Sequence, residues 1–229
     1  MDLYYEKGKF SEDELEYAFI ELFEQLGYEY LLGETIHRHF KDVLLYDDLK
    51  TYLKCRYSDI TDNEIERAIS LIDNISSFPL YDGNRTTYRM ITEGYDLVRD
   101  DVSKTALHID YIDFNKDNNK NIYKIVNQYT VEDLHNRRPD LLVFINGIPI
   151  VIFEFKTAIE EDKTIHDAWK QIHVRYSRDI PNLLKYSTIS IISDGANTKL
   201  GTIFTPYQFY YAWNKVNEED SVSNGINSL

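Results

Sequence analysis

Two apolar segments rich in β-branched residues, 141–145 and 148–155, constrain the fold of this chain more than any other feature of its sequence. The dipeptide Asn146-Gly147 separates them and is a strong signal for a β-hairpin. In the second segment, residues 150–153 are apolar without interruption, a pattern typical of a central strand that is covered on both faces. The chain is therefore expected to contain a sheet with other elements packed on each side of it.

Helical patterns dominate the first hundred residues. Ser11 and Glu14 have the spacing of a capping box, and apolar residues then recur at helical spacing as far as Gly27, which suits the position just after a helix. Three further helices are predicted over residues 46–56, 62–74 and 88–100.

The pattern changes after Lys104, where strands are predicted. Residues 107–114 and 122–129 alternate between apolar and polar side chains on either side of a polar turn, which predicts a second β-hairpin. Together with the first helices, the later patterns predict a mixed α/β fold. They indicate a helix over 164–177, a strand over 187–193 and a helix over 207–216.

The composition is that of a globular protein, because 43% of the 229 residues are hydrophobic and 28% are charged. Cys55 is the single cysteine, which excludes disulfide bonds and cysteine-based metal clusters within the chain. No apolar run reaches about 18 residues and no signal-peptide pattern follows Met1, so we expect no membrane segment and a cytoplasmic location.

The net charge of −14 is unusual for a protein that binds nucleic acid. The charge is unevenly distributed: residues 1–136 have 28 acidic and 15 basic side chains, whereas residues 137–185 have 7 acidic and 8 basic ones. Only this near-neutral segment is expected to approach a phosphate backbone without strong repulsion, unless a partner supplies the binding surface.

Three ionisable residues lie at the ends of the two apolar segments: Asp140, which follows Pro139, and then Glu154 and Lys156. Ionisable groups in a buried strand are costly unless they are paired, metal-bound or functional. Because Mg²⁺ takes one or two carboxylates together with water and phosphate, Asp140 and Glu154 are candidate ligands of Mg²⁺ or Mn²⁺. Lys156 lies two residues from Glu154, on the same face, and is expected at the solvent-facing end of the strand, where it would hold the attacking water.

The geometry of this site depends on the hairpin connection. A two-residue loop at Asn146-Gly147 would pair position 140 with position 153 and place Asp140 and Glu154 on opposite faces. A three-residue loop with a bulge would pair position 140 with Glu154 and bring the carboxylates together, so the site requires this less common loop. The spacing alone also occurs in many proteins that have no such site.

The segment 138–156 resembles the nuclease segment of the R (restriction) subunit of type I restriction-modification enzymes, which belongs to the PD-(D/E)xK nuclease superfamily. This resemblance implies a restriction-endonuclease-like α/β fold, with a mixed central sheet flanked by helices and a helical N-terminal elaboration. It covers about half of the chain. It extends over 168–176, 178–181, 193–195 and 210–213.

The resemblance also implies roles for particular residues. Asp140 and Glu154 would be the metal ligands and Lys156 the catalytic lysine. The family has a helical Gln followed four residues later by Tyr, whereas here Gln171 is followed by Tyr176, one residue later than that pattern.

An acidic residue on the first helix supports the metal site in related nucleases, about eleven residues before a Gly-aromatic pair. Glu16 lies eleven residues before Gly27-Tyr28 and is the candidate here, with Glu12 as the second choice. The alternative is that these carboxylates are simply the solvated surface of a helix.

The resemblance implies a single nuclease domain over 1–229, with a mostly helical elaboration over 30–104, a sheet-containing nuclease core over 105–216 and a flexible tail over 217–229. The R subunits of the family are motor proteins with ATPase domains, but this chain has no G-x-x-x-x-G-K-[ST] motif. The segment 195–201 lacks the Lys-Ser/Thr ending and is predicted to be a turn. ATP would therefore act only through motor domains outside this chain, which resembles a nuclease region that is either truncated or naturally short.

The leading hypothesis is an Mg²⁺-dependent DNA endonuclease domain whose partners, besides DNA, are the motor region of the full R subunit and the methyltransferase and specificity subunits. One alternative is a catalytically silent module of the same fold that docks DNA or the motor. Another is a freestanding, resolvase-like nuclease acting on branched DNA. The acidic balance of the chain disfavours the freestanding nuclease, because phosphate binding depends on clustered Lys and Arg.

Overall fold

The structure, a computed structural model, describes residues 11–115, 120–157 and 164–212. Its helices are α1 (Glu12–Gln25), α2 (Tyr46–Arg56), α3 (Asp62–Asp73), α4 (Leu80–Glu93), α5 (Ile165–Lys170), α6 (Ser177–Asp179) and α7 (Pro181–Leu184), with a π-helical segment (Gln171–Tyr176) between α5 and α6. Its strands are β1 (Glu29–Leu32), β2 (Tyr95–Leu97), β3 (Leu107–Ile109), β4 (Tyr123–Asn127), β5 (Val131–Glu132), β6 (Asn136–Arg137), β7 (Leu141–Ile145), β8 (Ile148–Phe155), β9 (Ile189–Ser193), β10 (Thr198–Gly201) and β11 (Tyr211–Ala212).

Seven of these strands form one mixed sheet in the order β1-β4-β7-β8-β9-β10-β11. The pairs β1–β4 and β8–β9 are parallel and the other pairs are antiparallel. β8 is therefore central, and all but one of its eight residues are buried. The prediction of a doubly covered central strand is confirmed, and so is the mixed α/β class. The sheet also includes β1, from the segment that was expected to belong to the helical elaboration.

The two faces of the sheet have separate apolar cores. Phe153 and Phe155 of β8 pack on one face against Phe19 of α1, with which Phe155 is stacked at 5.2 Å between ring centroids. Ile152 lies on the other face, in a larger core that includes residues of α2, α3 and α5. The central strand is buried because a helix covers one face and several helices cover the other.

The predicted limits of the first three helices agree with the structure. Ser11 caps α1, with Glu14 N–H donating to its side chain at 3.2 Å and the Glu14 carboxylate accepting from Ser11 N–H at 2.8 Å. Gly27 follows the helix with φ +89°, a conformation that favours glycine. The predictions for 46–56 and 62–74 match α2 and α3.

The connection between β7 and β8 differs from the expected three-residue loop. Ile145 pairs directly with Ile148, and both turn residues have positive φ, 52° at Asn146 and 78° at Gly147, as in a two-residue type I′ turn. The pairing then shifts by one residue between Val143 and Phe144, so that Leu141 pairs with Phe153. The required register is therefore produced by an irregularity inside the ladder and not by the turn.

The second predicted hairpin, over 107–114 and 122–129, is wrong. β3 instead pairs with β2, while both edges of β4 are occupied by β1 and β7. Alternation identified the strands but could not identify their partners.

Two predicted helices are also wrong in part. The helix expected over 88–100 begins earlier, at Leu80, and ends at Glu93, because Gly94 at φ +72° turns the chain into β2. The helix expected over 207–216 is a single 3-10 turn, Tyr207–Phe209, followed by β11, which pairs with β10; residues 213–229, including the tail, lie outside the described residues.

The segment 195–201 is only partly a turn, because β10 occupies 198–201 and pairs with β9. The strand predicted over 187–193 matches β9, and the helix predicted over 164–177 matches α5 with the π-helical segment.

None of the helices within the described ranges is long and apolar enough to cross a membrane.

Candidate active site

Asp140 and Glu154 lie opposite each other at the ends of β7 and β8. Asp140 directly precedes Leu141, whose partner across the ladder is Phe153, the residue before Glu154. Residues opposite each other in a ladder have their side chains on the same face of the sheet. The Asp140 carboxylate also accepts a hydrogen bond of 2.7 Å from the backbone N–H of Phe155, which holds it against the end of β8.

Glu154 is completely buried and has a charged partner on one oxygen and a hydroxyl on the other. Lys156 Nζ donates to Oε1 at 3.0 Å, and the Tyr176 hydroxyl donates to Oε2 at 2.9 Å. The structure thus brings Asp140, Glu154 and Lys156 together at one end of the central strand.

Lys156 is not at a solvent-facing end, contrary to expectation, since only 11% of its side chain is exposed. Its backbone N–H donates to Ser193 O at 3.0 Å, which continues the pairing of β8 with β9. Its ammonium group turns back to Glu154 and also donates to the Phe155 carbonyl at 2.6 Å. The attraction of the buried carboxylate explains why this lysine is withdrawn from water.

Burial dominates the electrostatics of the two carboxyl groups. It raises the pKa of Asp140 to about 6, a shift that the hydrogen bond from Phe155 only partly offsets. Burial, together with the neighbouring Asp140 carboxylate, raises the pKa of Glu154 to about 8. Burial alone would lower the pKa of Lys156, but the carboxylates of Glu154, Asp140 and Glu12 together outweigh it and the pKa is raised, so the ammonium stays charged. Burial and the neighbouring carboxylates thus both disfavour negative charge at the site, which a bound cation would compensate.

A π-helical segment explains the unusual spacing of Gln171 and Tyr176. In a π-helix the hydrogen bonds run between residues five apart, so a side chain five positions along the chain comes to the same face. Gln171 Nε2 accordingly donates to the Tyr176 hydroxyl at 2.8 Å, and that hydroxyl donates to Glu154. Burial and the charge of Glu154 raise the pKa of Tyr176, which keeps its hydroxyl protonated as a donor.

The two acidic candidates of α1 lie close to the same strand ends. Glu16 is only 7% exposed, so it is not solvated helix surface. Its oxygens accept from Asn127 Nδ2 at 2.6 Å and from Gln128 Nε2 at 2.9 Å. Glu12 approaches the ammonium of Lys156 at 3.8 Å. Both carboxylates add to the raised pKa of Asp140.

Asn127 and Gln128 were missed by the sequence analysis. Asn127 is buried at the end of β4, and Gln128, at φ +53°, donates its backbone N–H to the Asp140 carbonyl at 3.2 Å. They join Glu16 to the segment that contains Asp140. The polar end of the strand predicted over 122–129 was the available signal for them.

The donor set fits a hard divalent cation. Asp140 and Glu154 provide carboxylate oxygens, and their raised pKa values indicate a place where a cation would replace a proton. Across the described ranges, no group of three or more His, Cys, Asp or Glu side chains is arranged to hold a metal ion. Water and a substrate phosphate would therefore have to complete the coordination shell, as is usual for Mg²⁺. His37, His39 and Cys55, whose side chains can also bind metals, are exposed.

Fold and site together define a mixed α/β protein with an acidic pair, whose glutamate is completely buried, and a lysine at the end of its central strand. Residues 9–209 match the family described as type I restriction enzyme R protein N terminus, and the chain belongs to this family.

Similar proteins include endonuclease subunits of type I restriction enzymes. The putative MjaIXP subunit of Methanocaldococcus jannaschii is 31% identical over 95% of this chain and 22% of its own length. The SauCOLORF180P subunit of Staphylococcus aureus is 30% identical over 96% of the chain and 22% of its own length. The HindI subunit of Haemophilus influenzae is 23% identical over 92% and 21%, respectively. The chain thus spans about a fifth of the length of these relatives.

Proposed function

We propose that this chain is the nuclease part of a type I restriction enzyme R subunit and hydrolyses DNA phosphodiester bonds with the help of Mg²⁺ or Mn²⁺. The observation that carries the proposal is the meeting of Asp140, Glu154 and Lys156 at the end of β8. The names of the similar proteins, which are endonuclease subunits, support it. The restriction-endonuclease-like form of the α/β fold is part of the same proposal.

Asp140 and Glu154 would hold the cation. When bound, it would lower the pKa of a water molecule and stabilise negative charge on the phosphoryl oxygens. Asp140 is oriented for this task by the Phe155 N–H, and Glu154 by the Tyr176 hydroxyl, which Gln171 in turn holds. These contacts fix the carboxylates before substrate arrives, which limits the reorganisation needed during the reaction.

Lys156 would act as a fixed cation beside the reacting phosphate. Its ammonium remains charged because Glu154 lies 3.0 Å away. It is therefore suited to orient the attacking water and to stabilise the charge that develops on the phosphate. Glu16 would support the site through Asn127 and Gln128.

A silent docking module of the same fold is the weaker alternative. Two neighbouring carboxyl groups with raised pKa values, one of them completely buried, cost stability, and a module that only docks would have no reason to maintain them. A freestanding resolvase-like nuclease is disfavoured by the net charge of −14.

The remaining assignments follow from the restriction-enzyme context. We place the protein in the cytoplasm, where its partners would be DNA, the motor region of the full R subunit, and the methyltransferase and specificity subunits. ATP would be used by the motor region, and sequence recognition would come from the specificity subunit.

The decisive experiment is Lys156→Ala in the complete restriction assembly. Loss of one electrostatic group of this kind typically lowers the rate about 10²–10³-fold, so double-strand cleavage should fall by this amount while assembly and ATP-driven translocation persist. Lys54→Ala is a matched control, because Lys54 is an exposed lysine of α2 that pairs with Asp62 at 2.7 Å. Normal cleavage by the Lys156→Ala assembly would refute the proposal. Thermal unfolding of both variants separates a catalytic effect from a loss of folding.

A further inference from the structure

Four arginines beside the site form a group that we call the basic surface: Arg137, Arg138, Arg175 and Arg178. They lie in two segments, 134–139 and 170–179, which together contain five lysines and arginines and a single acidic residue, Asp179. The whole chain, in contrast, has a net charge of −14. Positive charge is thus concentrated in the two segments that flank the carboxylate site.

The buried carboxylate of Asp179 joins these two segments. Arg178 donates to it through Nε at 2.6 Å and Nη2 at 3.1 Å, and Arg137 donates through Nε at 2.7 Å. The Asp179 carbonyl also accepts from the backbone N–H of His135 at 3.0 Å. Because Asp179 is completely buried, it fixes both guanidinium groups without offering its own charge to a ligand.

The basic surface remains accessible although it is fixed. The side chain of Arg178 is 65% exposed, and its Nη1 has no hydrogen-bond partner among the residues that the structure describes. Arg175 is exposed, and the side chain of Arg138 is 52% exposed and pairs with Glu34 at the surface. An arginine held by a carboxylate loses little side-chain entropy when it binds a phosphate, which favours the interaction.

Both segments of the basic surface adjoin residues of the candidate active site along the chain. Arg138 lies two residues before Asp140, and Tyr176, whose hydroxyl donates to Glu154, lies between Arg175 and Arg178. Each segment thus connects the basic surface to the site through a short stretch of chain.

We propose that the basic surface binds the phosphate backbone of duplex DNA next to the phosphodiester bond that is cut. This inference rests on the proposed nuclease function and names the surface by which the acidic chain holds its substrate. In this proposal the arginines contact phosphates and not bases, so DNA binding is independent of sequence and sensitive to salt.

The test is the affinity of the 229-residue chain for a 20-bp duplex, followed by fluorescence anisotropy at several salt concentrations in EDTA, where no cleavage occurs. Arg175→Gln/Arg178→Gln leaves Arg137 on Asp179. For this double variant we expect a Kd on the order of tenfold higher than that of the wild type at low salt. The slope of log Kd against log salt concentration should fall by the amount that corresponds to about two phosphate contacts. Arg138→Gln, which leaves the contacts of Asp179 intact, should reduce the salt dependence by about one contact.

Lys50→Gln/Lys54→Gln is the matched control, since it also removes two exposed positive charges. These lysines lie on α2, whose first residue follows Leu45, and Leu45 N–H donates to Gly147 O in the β7–β8 turn. The turn is at the opposite end of the β7–β8 hairpin from the candidate active site. The control should bind DNA as the wild-type chain does.

Unchanged affinity and salt dependence in both arginine variants would overturn the proposal that the basic surface binds DNA. An equal loss of affinity in the lysine control would overturn it too, and so would the absence of measurable DNA affinity of the wild-type chain at low salt. These outcomes differ from failure of the nuclease proposal, in which the Lys156→Ala assembly cuts normally. DNA affinity in EDTA does not depend on the Asp140, Glu154 and Lys156 chemistry.

Discussion

Gln171 donates a hydrogen bond of 2.8 Å to the hydroxyl of Tyr176, five residues further along the same helical stretch. In a regular α-helix the residue four positions on, Arg175, would lie on the face of Gln171 instead. The π-helical segment accommodates one extra residue, so that Gln171 reaches Tyr176, whose hydroxyl donates to the carboxylate of Glu154. π-helical segments of this kind often mark functional sites.

Deletion of Val174 tests whether the π-helical segment contains one inserted residue. Val174 is 58% exposed, and without it Gln171 and Tyr176 would have the four-residue spacing of a regular α-helix. We expect this variant to unfold within a few degrees of the wild-type Tm, because the buried faces of α5 and α6 keep their orientation.

Deletion of the exposed Glu66 from α3 is the matched control. It would rotate the following half of α3 by about 100° and move Ala68, Ile69 and Ile72 out of the core. This control should be severely destabilised. Equal damage in the two deletions would show that Val174 is not an insertion into a helix.

Metal binding is expected to require both members of the carboxylate pair. Mn²⁺ titrated into the chain by calorimetry should bind the wild type, weakly in the absence of DNA, because Mg²⁺-type ions need substrate oxygens to complete their shell. Asp140→Ala and Glu154→Gln should abolish the heat of binding. Glu16→Gln should reduce the affinity about 10–100-fold, as the loss of a supporting residue does. Asp167→Asn, which changes a partly exposed carboxylate on α5, is the control and should leave the affinity unchanged. Unchanged affinity in Asp140→Ala would contradict the site.

The stability of the metal-free chain should fall as the pH rises. The pKa of Asp140 in the folded state is about 6, above its ordinary value of 3.8, so its favourable contribution is complete below about pH 4 and is lost as the pH rises through 6. Asp140→Asn cannot ionise and should therefore become more stable than the wild type between pH 4 and 7, by about 1–3 kcal/mol.

Chemical denaturation in EDTA at pH 4.5 and 8 measures this difference. Asp167→Asn is again the control, because its hydrogen bond with Lys170 and those with Thr164 lower the pKa of Asp167 to about 2, below the range tested. The stability difference between Asp167→Asn and the wild type should thus be constant from pH 4.5 to 8. A constant difference for Asp140→Asn as well would exclude a raised pKa at Asp140.

The sequence alone determined those helices and strands whose limits are set by interactions between neighbouring residues. The capping box of Ser11 and Glu14 placed α1, and the uninterrupted apolar residues of β8 marked the central strand. The same patterns placed Asp140 just before an apolar segment and Glu154 near the end of the next one. Caps and periodicity act over a few residues, so they are visible in the chain itself.

Only the tertiary structure decided how these elements combine. β3 pairs with β2 and not with β4, and a one-residue shift within the β7–β8 ladder brings Asp140 opposite Glu154 after a two-residue turn. Partner and register depend on which faces are buried against distant helices, a long-range condition that alternation cannot specify. The burial of Lys156 and the raised pKa of Glu154 also depend on tertiary structure, because distant elements that pack around both residues remove them from water.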